Sequence, residues 1–131
     1  MSVAWNGAAT LAAVRAGVVT GLQRGVEAVE AEATSLVLST PKSGRWYGKH
    51  QASAPGEPFA SDKGTLLASA TKSVDPAALT ANLNYSGDHA AAMEYGTSRV
   101  APRPYARPAI VNKRDEIIAD IQDEIGKALH P

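Results

Sequence analysis

The side chains here that could do chemistry are few, and their spacing is poor for it. His50, His89 and His130 stand apart, with no second ligand at helical or hairpin spacing, so no metal site is expected. Cysteine is absent, which removes disulfides, thiolate zinc sites and cysteine nucleophiles together. Asp88-His89 lies among serines, but no nucleophile-elbow pattern accompanies it, and the pair reads as a helix cap beside a surface histidine. "GRWYGKH" (44–50) holds a glycine-lysine pair without the G-x-x-x-x-G-K-[ST] spacing that cradles phosphates, and no buried strand precedes it. Asp115/Glu116 and Asp123/Glu124 sit in a segment rich in solvent-facing charge. We assign no catalytic, cofactor-binding or metal-binding residue and expect no enzyme.

What remains is recognition. "EYGTSRVAPRPYARPAI" (94–110) sets Pro102, Pro104 and Pro108 within seven residues and threads Arg99, Arg103 and Arg107 between them, with no acid after Glu94 until Asp115. Proline stiffens this connector by limiting the unfolded chain, so less freedom is lost when it docks. The 13 basic and 13 acidic residues of the chain cancel. That balance argues against a dedicated nucleic-acid binder, which gains affinity by neutralising phosphates. No apolar run approaches the roughly 20 residues needed to cross a bilayer, and no basic segment with a leucine-rich core opens the sequence. The expectation is one globular domain made in the cytoplasm and independent of membrane.

The elements that must carry the connector follow from periodicity. Leu11, Arg15, Val18, Leu22, Val26, Val29, Ala33 and Leu36 recur every three or four residues, which predicts a long helix over 8–39 closed by Pro41. Gly17, Gly21 and Gly25 lie on one face of it, where a neighbour can approach closely. Residues 40–64 have no period and contain Trp46, Tyr47 and Phe59; they are read as an arm that docks on a neighbouring subunit. A hairpin is predicted over 65–85, with a first strand at 65–74 and a turn at Asp75-Pro76. In its second strand Leu79, Ala81, Leu83 and Tyr85 face one way and Thr80, Asn82 and Asn84 the other. A short helix over 88–95, capped by Ser86 or Asp88 and stopped by Gly96, leads into the connector at 96–107. Pro108 is then expected to open a final helix over 108–129, with Ile110, Ile117, Ile118, Ile121, Ile125 and Leu129 as its apolar stripe. The predicted fold is α+β, two amphipathic helices on a small antiparallel sheet.

Charge order adds one expectation. Both long helices run from basic to acidic: Arg15 and Arg24 before Glu27, Glu30 and Glu32, then Lys113 and Arg114 before Asp115, Glu116, Asp120, Asp123 and Glu124. Both orders oppose the helix dipole. We read them as the positive and negative edges of a subunit that contacts its copies head to tail and closes into a ring.

The segment "YSGDHAAAMEYGTSRVAPRPYARPAI" resembles the small head–tail joining proteins of long-tailed, lambda-like bacteriophages, the neck or tail-completion proteins. The likeness rests on Tyr85, on Glu94-Tyr95-Gly96-Thr97 and on Pro104-Tyr105-Ala106-Arg107-Pro108-Ala109, with weaker support from "TPKSGRWY" and "HQASAPGEPFASDKGTL", and it spans Thr40 to Leu129. The resemblance implies a structural virion protein that forms a ring, six copies being expected from tail symmetry. It implies assembly in the bacterial cytoplasm between the portal and adaptor or head-closure side and the tail terminator and tail tube, around a channel for DNA. A tail-terminator or head-closure ring of the same connector, and a small non-specific nucleic-acid-binding protein, are the alternatives. The residues expected at subunit or partner interfaces are Trp46, Tyr47, Phe59, Glu94, Tyr95, Gly96, Thr97, Arg103, Pro104, Tyr105, Arg107 and Pro108. Arg99, Arg103, Lys113 and Arg114 are the candidates for contact with passing DNA.

Overall fold

The structure, a computed structural model, describes residues 6–61 and 64–130. Residues 62 and 63 of the predicted arm therefore lie outside the described residues. The element order is α1 (Gly7–Ser39), β1 (Trp46–Tyr47), β2 (His50–Gln51), α2 (Thr65–Ala68), β3 (Ala70–Asp75), β4 (Thr80–Tyr85), α3 (Ala90–Tyr95) and α4 (Ala106–Leu129). The fold is α+β, with helices packed on small two-stranded antiparallel sheets, β1–β2 and β3–β4.

The long helix α1 is the floor of the molecule. The Asn6 side chain caps its start, accepting from Ala9 N–H at 3.1 Å, and Thr40 turns extended ahead of Pro41 to end it. On one side α1 meets α4, which runs antiparallel to it. Gly17 lies against the Glu124 backbone, Gly21 against Ile121 and Gly25 against Ile117. The glycine row thus lets the chain's own last helix come close. On its other side α1 carries β3 and β4. Their register pairs Ala70 with Tyr85, Lys72 with Leu83 and Val74 with Ala81. As the alternation predicted, Ala81, Leu83 and Tyr85 are shielded while Thr80, Asn82 and Asn84 are exposed.

The expected first strand begins later than predicted. Residues 65–68 form a helical turn, because Leu66 and Leu67 both pack on the core, and alternation along a strand would send one of two adjacent leucines outward. Residues 76–79 form the turn, where the Asp75 carboxylate accepts from Ala77 and Ala78 N–H and Leu79 takes a positive φ of 53°. The core is Val29, Ala33, Val37, Phe59, Tyr105 and Ala109, with Leu36, Leu66, Leu67, Leu83, Tyr85 and Met93 against it. Its three rings interlock edge to face, Phe59 on Tyr105 at 5.0 Å and Tyr85 on Tyr105 at 5.1 Å.

Candidate functional site

The two motif pieces that frame the connector, E-Y-G-T and P-Y-x-R-P-A, meet in space as one joint. Glu94, on the last turn of α3 and 4% exposed, aims its carboxylate at the start of α4. It accepts from Tyr105 N–H (2.8 Å), Ala106 N–H (2.9 Å) and Arg107 N–H (2.8 Å). A helix start leaves four N–H groups without intrahelical partners. Here three go to Glu94 and the fourth position is Pro108, which has no N–H to satisfy. Pro108 is therefore the third residue of α4, not its first. The charge-assisted bonds and the dipole of α4 both favour an ionised Glu94. Burial alone would raise the pKa of this carboxyl, but the three N–H donors and the Arg107 side chain outweigh it and hold the group below its ordinary value.

Each remaining letter of the two pieces has a local role. Tyr95 is 65% exposed and lies under the Arg107 guanidinium, 4.7 Å from its ring centre, while Arg107 Nε reaches Glu94 at 3.3 Å. Gly96 turns with φ 75°, and a Cβ there would come within 2.8 Å of the Val100 carbonyl. The Thr97 hydroxyl accepts from Arg99 and Val100 N–H. Pro104 hands over to Tyr105, whose hydroxyl donates to the Ala90 carbonyl at 3.2 Å and whose pKa burial pushes up to about 12. Ala109 has no exposure at all. The expected cap on α3 is absent: neither Ser86 nor Asp88 caps it, and the helix begins after His89.

The arm is fastened to this joint. Arg103 Nε donates to the Ser53 carbonyl (3.3 Å), Gly56 N–H donates to the Pro102 carbonyl (3.0 Å), and Arg103 N–H donates to the Met93 carbonyl. Glu57 ties the arm to itself, accepting from Ser43 N–H, the Ser43 hydroxyl and Ala54 N–H. Phe59, Glu94 and Tyr105 were expected at an interface between subunits. They are instead 5%, 4% and 2% exposed within one chain, because the arm and joint need them as core and cap. Pro104 and Pro108 are half-buried in the same joint.

Trp46 and Tyr47 differ from these. They are 61% and 60% exposed on the β1–β2 hairpin, whose base is closed by Gly44 N–H to the Ala52 carbonyl. Arg45 stands over the Tyr47 ring at 5.3 Å. Of the residues expected to touch DNA, Arg103 is bonded to the Ser53 and Ala101 carbonyls and Lys113 pairs with Glu32 and Glu116. Arg99 and Arg114 are exposed.

The charge order of the helices has an explanation within the chain itself. Because α1 and α4 are antiparallel, the basic half of each lies beside the acidic half of the other. Arg24 meets Glu124 at 2.6 Å, and Glu32 receives Lys113 at 3.9 Å and the Asn112 amide at 3.2 Å. Sequence reasoning missed these partners and the role of Glu94. Only the spacing of Pro108 after two amide-bearing residues hinted at an outside acceptor.

Among the described residues no group of three or more His, Asp or Glu side chains could hold a metal ion, and no helix is long and apolar enough to cross a membrane. No protein-family model matches this chain, and neither a curated protein nor a solved structure does.

Proposed function

We propose that this chain is a non-enzymatic structural subunit of a ring in the neck of a long-tailed phage, joining the portal or adaptor side to the tail tube around the DNA channel. The observation that carries the reading is the joint. The two most specific pieces of the resemblance, 94–97 and 104–109, are one mechanical unit in which Glu94 locks the final helix to the short one. A motif that serves rigidity suits a part whose task is to hold shape. Its surface suits assembly, with exposed Trp46 and Tyr47 on a fixed hairpin and a basic arm and connector bound together.

The test is a phage genome lacking this gene. Filled heads and separate tails should accumulate, and the purified protein should restore joined particles. Normal infectious particles from the deletion would overturn the reading. A nucleic-acid-binding role draws on Arg99 and Arg114. It predicts tight, salt-dependent retention of short duplexes near physiological salt, whereas the neck reading predicts weak retention that salt abolishes.

A further inference from the structure

An open apolar groove lies between α1, β4 and α4. Leu22, Val26 and Val29 of α1 form its floor, Ala81 and Leu83 of β4 one wall, and Ile110 and Ile117 of α4 the other. Its volume is about 180 Å³. A cavity of roughly 150 Å³ lined by aliphatic side chains takes one benzene-sized ring. β3 borders a separate cleft with Gln23 and Glu27, so β4 lies between β3 and this groove. Ile110 on the rim is 51% exposed.

The molecule also carries a knob. Trp46 is 61% exposed on the hairpin, while Arg45 stands over the ring of Tyr47. On one chain the knob and the groove sit on different elements, the knob on the β1–β2 hairpin and the groove on α1, β4 and α4. The arm leaves α1 at Thr40, eleven residues past the last floor residue, or about 16 Å of helix, and β2 lies by Val37 and Leu38 at that end. In the chain itself Trp46 is exposed and is not among the residues lining the groove.

Charge says what can. Arm and connector (40–64 and 96–107) hold seven basic residues and two acids, whereas the rest of the chain holds six basic residues and eleven acids, one of which, Glu94, is paired with Arg107. Bonds between Arg103 and Ser53 and between Gly56 and Pro102 join the two basic segments into one lobe. The groove belongs to the acidic body. We propose that the Trp46 tip on the basic lobe of one copy seats in the β4–α4 groove on the acidic body of the next. This contact is heterologous, so repetition gives a ring where the rotation closes. The inference rests on the ring reading and names its contact surfaces.

Two variants test it, Trp46→Ala to remove the knob and Ile110→Lys to block the groove at an exposed rim position. Circular dichroism and thermal melting check that both stay folded. Sedimentation at high concentration and low salt should show the native chain forming oligomers, and each variant alone should need about tenfold or more protein to do so. Mixed together, the two should form a dimer and nothing larger, because only one intact knob and one intact groove remain per pair. Assembly of both variants at native concentration would overturn this contact while leaving the ring reading in place. A native chain that stays monomeric throughout would also overturn it. Absence of the protein from the neck of phage particles would remove the ring reading itself, whatever the mixing shows.

Discussion

At the scale of residues, Glu94 decides more than any other side chain. It is the acceptor for three N–H groups at the start of α4. Glu94→Gln keeps the shape but loses the charge, and its NH2 end cannot accept where one carboxylate oxygen did. Urea unfolding at neutral pH should show a loss of about 2–3 kcal/mol. The pH profile carries the sign. The folded carboxyl titrates below its unfolded value, so its contribution is fully present above about pH 4.5 and falls away as pH drops through the folded pKa. The Gln variant should therefore lose less stability than the native chain on acidification from pH 5 to 3. The two core tyrosines give a sharper contrast. The Tyr105 hydroxyl donates to Ala90, whereas the Tyr85 hydroxyl is buried with no partner. Tyr105→Phe should cost about 1 kcal/mol, and Tyr85→Phe should be neutral or slightly stabilising, because it removes a polar group that burial leaves unsatisfied. Equal losses from the two substitutions would contradict this bonding.

At the scale of elements, the contact between α1 and α4 is the main seam. Gly17 is held against the Glu124 carbonyl, where an added Cβ would lie 2.9 Å from a backbone oxygen, whereas a Cβ at Gly126 on the facing helix meets nothing within 4 Å. Gly→Ala should thus have opposite signs at the two positions. Gly126→Ala should raise stability by up to about 1 kcal/mol through helix propensity. Gly17→Ala should lower it, since the helices must part. Thermal melts of the two variants check this. The helices themselves were legible in the sequence, since the Leu22, Val26, Val29 and Ala33 period and Pro41 mark α1 to within a residue or so. The glycine row announced a close neighbour without identifying it, because periodicity reports which face is buried and not what covers it. The start of α4 was misread for a related reason. Propensity places Pro108 first, but a carboxylate eleven residues before Tyr105 satisfies the two amides ahead of it, and no local pattern records such a bond.

At the scale of the whole molecule, the arm is where sequence and structure part most. Aperiodic residues with three aromatics suggested a segment reaching outward, yet the two ends of the arm behave differently. Ser53 to Phe59 is stitched to the connector and core, and Arg45 to Lys49 are exposed on the hairpin. Burial is a tertiary property, so Phe59 and Trp46 look alike in a sequence and separate only in the fold. A prediction follows that divides the arm at Ala52. Replacing 46–51 with Asn-Gly removes both short strands and leaves a two-residue turn between Arg45 and Ala52, which are already bonded along with Gly44. It removes Trp46 and Tyr47 but no core side chain, so the melting temperature should stay within a few degrees of the native value. Phe59→Ala opens a cavity beside Tyr105 and should lower stability by about 3–5 kcal/mol. In phage complementation the shortened hairpin should give a folded protein that fails to join heads to tails, while Phe59→Ala should fail through loss of the protein. Normal joining by the shortened hairpin would show that the exposed tip has no part in assembly.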